Sequence, residues 1–374
     1  MQDGNACPAC GLPRWLSRKL VWTTDGGIYF RSRRSERLVF LAEEEISVLV
    51  AEGVRLRGDQ LLDTLRERRR EFTRAEVASQ MTPLRRAFLR RRPFAGKFVR
   101  LALEEASLLG CGNLEVVRLK PGKELELKAR HPYHPQLLAG DIWGFWEGIY
   151  GVEALLSLNA STQYDWNITV KTVARGKHEP RREAPPRRPQ RDYDLEVCEK
   201  CRLPLFTWEL RWDEELGTIY QAGTHRHMVI TSARGWQAVL EEIVGSRDGD
   251  LPPAVGGALA AAAAAEYGAL KAENYKTAYR NFFMGLPFLG WGKPRRVTRK
   301  PFLIEAEIDG VPFPQLLAWK MAGFFEALER EPADIKHQRE GETGRRYLIG
   351  PRLEGRFLEI RRMLPEEGRF VLPF

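Results

Sequence analysis

The chain has 374 residues, 43% of them hydrophobic, with 59 basic against 50 acidic side chains and a net charge of +9. That is more chain than one hydrophobic core usually organises and enough apolar material for two, so two domains are expected. No window suits a bilayer, because the stretch from Ile142 to Leu158 carries Glu147 and Glu153 and the run from Ala258 to Ala265 is short and mostly alanine. The N-terminus is polar and reaches cysteine at once, unlike a secretory signal. A cytoplasmic protein without membrane association is therefore expected. There thiols stay reduced, and Cys-x-x-Cys points to metal or redox chemistry rather than to a structural disulfide.

In chain order, the first feature is Cys7-Pro-Ala-Cys10-Gly. Two intervening residues let both thiolates reach one ion while turn amides donate to sulfur, as in a zinc or rubredoxin knuckle. Leu20-Val21-Trp22 and Ile28-Tyr29 flank an acidic turn containing Gly26, the pattern of a β-hairpin. From Arg66 to Arg100, twelve basic and three acidic residues account for the whole charge excess. Phe72, Phe88, Phe94 and Phe98 interleave with them at helical spacing. Arg85, Arg86, Arg90, Arg91 and Arg92 read as a patch for an acidic protein or other anionic partner. Nucleic acid is a lesser alternative, with arginines on phosphates and rings on bases, and a solvated face is the plainest one.

The turn Leu109-Gly110-Cys111-Gly112 follows, then a strand through Leu125 to Leu127 and a helix from Pro135 to about Tyr150. Leu138, Ile142, Phe145 and Ile149 form the core stripe of that helix. Gly140, Gly144 and Gly148 recur every four residues on another face, where a backbone or a flat ligand can approach closely. One reading makes Gly140, Trp143, Gly144, Trp146 and Tyr150 the wall of a pocket for a hydrophobic or aromatic small molecule; the other is helix packing. Glu147 and Glu326 recur at one position, which suits either a buried acid or a paired surface carboxylate, and the surface carboxylate is the favoured reading. His131 and His134, just before the helix, receive no role.

Residues 175–192 alternate arginine with proline and read as a solvated linker. Beyond it the same blocks return in the same order. Cys198-Glu-Lys-Cys201 answers the first knuckle, and Leu210-Arg211-Trp212 with Gly217, Ile219 and Tyr220 answers the hairpin. Leu289-Gly290-Trp291-Gly292 answers the glycine turn, and Pro314-Gln-Leu-Leu-Ala318 with Gly323, Phe324 and Glu326 answers the long helix. The chain is thus read as tandem repeats over 1–174 and 193–374. Trp291 stands where the first repeat has Cys111, so that position wants bulk, and Cys111 reads as a packed thiol rather than a ligand. Trp319 replaces Gly140, narrowing any second pocket beside Gly323. His225 and His227 read as surface histidines.

One knuckle supplies two ligands and a closed site needs four. The duplication suggests that Cys7, Cys10, Cys198 and Cys201 meet about a pseudo-twofold axis and hold one zinc, with iron as the alternative metal. Half-sites completed by another subunit, a dithiol redox pair and unmetallated thiols stay open. Catalytic signatures are missing from the sequence: there is no Gly-x-Ser-x-Gly elbow, no His-Glu-x-x-His, no dinucleotide fingerprint and no P-loop.

The block from Leu108 to Tyr150, and again from Phe288 to Leu328, resembles the 4-vinyl-reductase-type domain. The resemblance rests on Leu109 to Val117, the strand pair through Leu125 to Leu127, and the Pro-Gln-Leu-Leu-Ala helix ending in Gly-Phe-x-Glu. It implies an α+β fold of antiparallel sheet and helices, commonly dimeric, that binds small hydrophobic molecules in aromatic-compound sensing or beside chlorophyll vinyl reduction. The cysteines many members carry after this helix are missing from 157–166 and 337–347, so that metal site does not transfer. The expected molecule is an α+β pseudo-dimer in which each repeat holds a knuckle with a β-hairpin, a helical segment, and an antiparallel sheet with packed helices. Its expected role is non-catalytic binding or accessory function, with a redox or tetrapyrrole-related enzyme as the alternative.

Overall fold

In the computed structural model, residues 6–89, 92–174, 196–205, 210–221, 226–245, 250–268, 275–300, 302–341, 343–352 and 369–373 are described. The linker at 175–192 and His225 lie outside them. The first repeat begins with α1 (Arg14–Lys19), β1 (Leu20–Trp22), β2 (Ile28–Phe30) and β3 (Arg33–Ala42). Four helices follow: α2 (Glu43–Arg57), α3 (Gln60–Gln80), α4 (Pro83–Leu89) and α5 (Arg92–Leu108). It closes with β4 (Asn113–Lys120), β5 (Glu124–Arg130), α6 (Pro135–Tyr150), β6 (Glu153–Ala160) and β7 (Asp165–Ala174). The second repeat runs β8 (Leu210–Asp213), β9 (Thr218–Gln221), β10 (His227–Ser232), α7 (Ala233–Val244), α8 (Pro253–Tyr267) and α9 (Tyr275–Phe288). It ends with β11 (Lys293–Lys300), β12 (Leu303–Asp309), α10 (Pro314–Glu329), β13 (Ala333–Glu340), β14 (Gly344–Pro351) and β15 (Phe370–Pro373). The expected α+β class is what the chain adopts.

The chain forms two compact units, and these do not follow the two sequence repeats. One unit is built from Leu41–Pro186 and Glu209–Gly249, the other from Asn5–Phe40, Arg187–Trp208 and Asp250–Phe374. The repeats over 1–174 and 193–374 are thus divisions of the sequence, while each folded unit draws on both. The first unit carries the antiparallel sheet β4-β5-β7-β6, and the second carries β13-β14-β12-β11-β15, the same order with one strand added. Period-two alternation sets which side faces the core. Leu125, Leu127 and Ala129 are buried along β5, and Ile304, Ala306 and Ile308 along β12. A long apolar helix covers each sheet, α6 in the first unit and α10 in the second, both opened by a proline in the first turn.

Why the units mix repeats is visible at the glycine turns. In the first unit, Gly110 (φ +86°) and Gly112 (φ +101°) end α5 in conformations that only glycine adopts without strain. The hairpin seated there is that of the second repeat. Gly112 N–H donates to Gly217 O (2.9 Å), Ile230 N–H to Leu109 O (2.8 Å), and Trp212 Nε1 to Leu108 O (3.0 Å). The second unit repeats the arrangement at Gly290 (φ +80°) and Gly292 (φ +110°), now with the hairpin of the first repeat. Gly292 N–H donates to Gly26 O (3.3 Å), Phe40 N–H to Leu289 O (2.9 Å), and Trp22 Nε1 to Phe288 O (3.0 Å). A methyl group at Gly290 would lie 2.6 Å from the carbonyl oxygen of Leu38, besides forcing an alanine into the left-handed region. Gly290→Ala is therefore expected to cost about 2–4 kcal/mol. Gly257→Ala, whose new methyl meets nothing within 4 Å on the exposed side of α8, should be neutral or mildly stabilising. Thermal unfolding of the two variants checks both.

Candidate metal centre

Each knuckle is a short loop closed by its own backbone. In the first, Ala6 bridges Pro13, Cys7 N–H donates to Leu12 O (2.8 Å) and Gly11 N–H to Cys7 O (2.7 Å). In the second, Val197 bridges Pro204, Cys198 N–H donates to Leu203 O (2.8 Å) and Arg202 N–H to Cys198 O (2.8 Å). Gly11 takes φ +72° and Arg202 takes φ +63°, so the second knuckle accepts in an arginine the strain the first avoids with glycine. Leu12 and Leu203 are buried beside the loops and fix them to the core.

These loops bring all four cysteines together. Cys7 Sγ lies 3.8 Å from Cys198 Sγ, Cys10 Sγ lies 3.4 Å from Cys201 Sγ, and the four sulfurs fall within 4.8 Å of one another. Zn–S bonds of about 2.3 Å in a tetrahedron put sulfurs about 3.8 Å apart, so the set is of the size a four-thiolate metal site requires. Cys7 and Cys198 are 2% and 3% exposed, whereas Cys10 and Cys201 are half-buried, so one side of the cluster faces the core and the other the surface. Burial alone would raise the Cys7 thiol, but the backbone N–H groups of Ala9 and Cys10 and the neighbouring thiols hold it at about 6. Burial raises Cys10 and Cys201 against the backbone amides of Leu12 and Leu203. A cation entering the set displaces the protons that the raised Cys10 and Cys201 thiols hold. The cysteines come from both repeats, 191 positions apart, yet belong to one compact unit, and no second subunit is needed to complete the set of four.

The other sites read from the sequence fare differently. The glycine face of α6 is occupied by α3: a Cβ at Gly140 would overlap the backbone of Arg66, one at Gly144 that of Arg70, and one at Gly148 the side chain of Val77. The close approach that glycine permits is thus made by a helix, and the wall expected for a ligand is a packed interface. Trp143 Nε1 donates to Ala154 O (2.9 Å), Trp146 Nε1 to Thr172 Oγ1 (3.0 Å), and Tyr150 is buried against the Trp146 ring at 4.5 Å. In the second unit Gly323 receives the backbone of α8 at Ala260, and the Trp319 indole fills the notch left by Gly256. Of the basic patch, Arg85 is exposed and Arg86 half-buried; Arg90, Arg91 and the side chain of Arg92 lie outside the described residues. His227 Nδ1 lies 3.1 Å from Glu43. Burial pushes the Cys111 thiol up to about 12, with Asp141 acting in the same direction and Arg69 against it, as befits a packed thiol.

Glu147 is not the surface carboxylate the sequence suggests. It is fully buried, held by Arg70 at 2.9 and 2.8 Å with Arg74 at 3.5 Å, and it accepts the N–H of Ala154 (2.9 Å). Glu326, at the matching position of the second repeat, accepts the N–H of Ala333 (2.9 Å). Asp141 forms a second buried cluster with Arg69 (2.9 and 2.9 Å), Thr73 Oγ1 (2.8 Å) and the Tyr133 hydroxyl (2.8 Å). Much of the charge counted over 66–100 therefore neutralises acids of α6 and α3 rather than facing a partner. The i, i+4 spacing of Arg66, Arg70 and Arg74 was the available signal. Removing one partner leaves buried charge uncompensated, so Glu147→Ala is expected to cost about 3–5 kcal/mol. Replacing exposed Glu115, paired with Arg130 at the surface, should change stability by less than about 1 kcal/mol in chemical denaturation.

No family model matches the chain, and comparison with curated proteins and with solved structures finds no similar one.

Proposed function

We propose that this is a non-catalytic binding module whose second unit is fastened by one zinc ion on Cys7, Cys10, Cys198 and Cys201. The observation that carries the reading is the approach of four sulfurs to within 4.8 Å from two loops 191 residues apart in sequence. Four thiolates close the coordination sphere, leaving no open position for a substrate or an activated water, which favours a structural over a catalytic role. The N–H groups directed at Cys7 from Ala9 and Cys10 stabilise negative sulfur. Zinc suits a tetrahedral four-sulfur set and imposes no redox chemistry; iron would fit the same donors and is distinguished by its red colour. The resemblance to the 4-vinyl-reductase-type domain supports binding as the role. The packed glycine face of α6 moves the binding surface elsewhere.

Native mass spectrometry of protein purified without added metal should find one zinc per chain. Cys198→Ser should lose the metal and lower the melting temperature by roughly ten degrees or more, because metal binding free energy is folding free energy in such sites. Acidification should release the ion as thiolates take up protons. Two oxidised cysteine pairs without metal, or a coloured iron centre that cycles with a reductant, would overturn the structural-zinc reading.

A further inference from the structure

The first unit carries an apolar groove that none of its described elements covers. Met81, Leu84, Phe88 and Leu89, from α4 and the residue pair before it, form one wall, and Phe94, Phe98 and Leu101 of α5 form the other. Between them lies about 490 Å³ of space with almost no polar lining. Leu84 is 83% exposed, Leu101 53%, Phe88 47% and Phe94 43%. Isolated exposed apolar residues are ordinary, but a contiguous set of this kind marks an interaction surface. The spacing is regular: Leu84 and Phe88 are i, i+4, and Phe94, Phe98 and Leu101 are i, i+4, i+7, so each helix presents one apolar ridge. The Phe88 and Phe94 rings meet at 3.9 Å between centroids, which joins the two walls.

Charge identifies the occupant. The groove is rimmed by Arg85 on α4 and Lys97 on α5, and Arg100, one turn beyond Lys97, is exposed as well. None of the three forms an ion pair among the described residues. From Val77 to Leu103 the sequence holds seven basic residues and no acidic one. This differs from α3, whose arginines are matched by acids within the unit. A second copy of the chain would set the same cations against one another, at a cost in like-charge repulsion. A small apolar ligand would leave much of itself in water on so open a surface, whereas small-molecule sites bury most of their ligand.

We propose that this groove docks an acidic amphipathic helix of a partner protein, its apolar face between α4 and α5 and its carboxylates on Arg85, Lys97 and Arg100. The mode is helix-in-groove recognition, with affinity from the apolar ridges and orientation from the rim. It develops the binding part of the proposed function and is independent of the metal, because groove and cysteines belong to different units.

The test uses the full chain and a fluorescent twenty-residue helical peptide with leucine at i, i+3, i+4 and i+7 and glutamate elsewhere, followed by anisotropy. A peptide with lysine in place of each glutamate and a twenty-base DNA strand are run beside it. The glutamate peptide should bind, and the lysine peptide should not. Leu84→Glu, at a position exposed enough to leave folding untouched, should weaken binding roughly tenfold or more, and Lys97→Glu about fivefold, with metal content and melting temperature unchanged. Equal binding of the glutamate peptide by wild type and Leu84→Glu would overturn the proposal. So would a preference for the DNA strand, or a concentration-dependent dimer abolished by Leu84→Glu, which would assign the groove to nucleic acid or to a second copy. Loss of zinc in Cys198→Ser with peptide binding retained would leave the groove standing and separate its fate from that of the metal.

Discussion

The fold depends on the close approach of backbone to backbone at two Gly-x-Gly turns. At Gly110 and Gly290 a strand passes so near that any side chain would strike main-chain atoms, and the positive φ of all four turn glycines excludes other residues without strain. The approach is secured by main-chain hydrogen bonds and by one tryptophan per hairpin, Trp22 and Trp212, each donating to the last turn of the preceding helix. These contacts run between repeats. A hairpin and the turn that receives it lie about 100 to 270 residues apart in sequence, so neither unit is complete until both repeats have been made. Long-range closure of this kind is slow relative to local contacts, which places formation of the units late in folding.

The helix pairs show how one backbone arrangement tolerates opposite chemistry. In the first unit α6 supplies the notches, at Gly140, Gly144 and Gly148, and α3 supplies the bulk and the charge. In the second unit the notch at the start of the interface lies on α8, at Gly256, and the bulk is Trp319 of α10. The polar contents changed together. Where α6 has Asp141, bonded to Arg69 and Tyr133 beside Cys111, α10 has Lys320, whose Nζ stands 5.3 Å from the Trp291 ring centre. A buried carboxylate needs its arginine; a buried ammonium over an indole face needs the indole. Replacing Cys111 by tryptophan and Asp141 by lysine is one consistent exchange. The alanine-rich α8 supplies no arginine to its neighbour, and the buried Glu329 of α10 is held instead by Arg299 of β11.

Much of this was legible in the sequence, and the limits have a physical reason. The knuckles, both hairpins, the glycine turns and the helix from Pro135 to Tyr150 were readable because each is dictated by local geometry: ligand spacing, period-two alternation, positive φ, proline at a helix start. Which hairpin enters which turn was not readable. The two hairpins carry equivalent residues, as do the two turns, so the local pattern is satisfied equally by pairing within a repeat or between repeats. The face of α6 was ambiguous for a related reason, because glycine records that something approaches without recording what. Glu147 looked like a surface group because its burial depends on Arg70 and Arg74, seventy-odd positions earlier, whose charges looked like surface charges for the same reason.

The cysteine cluster takes on its weight from this interleaving. Cys7 precedes a hairpin that belongs to the second unit, while Cys198 follows the linker and precedes a hairpin that belongs to the first. The second knuckle therefore lies on a stretch from which the chain must leave the second unit, with Cys198 and Leu203 buried there. A metal joining Cys7 and Cys10 to Cys198 and Cys201 would close a loop of 191 residues. On the chain-entropy argument a fixed cross-link over such a span removes about 5 kcal/mol of freedom from the unfolded chain. That is of the order of a whole domain's stability. The zinc proposed for this four-sulfur set would thus act on the topology, holding the crossing segment to the unit that the first hairpin completes, a role for which a closed, redox-silent ion is suited.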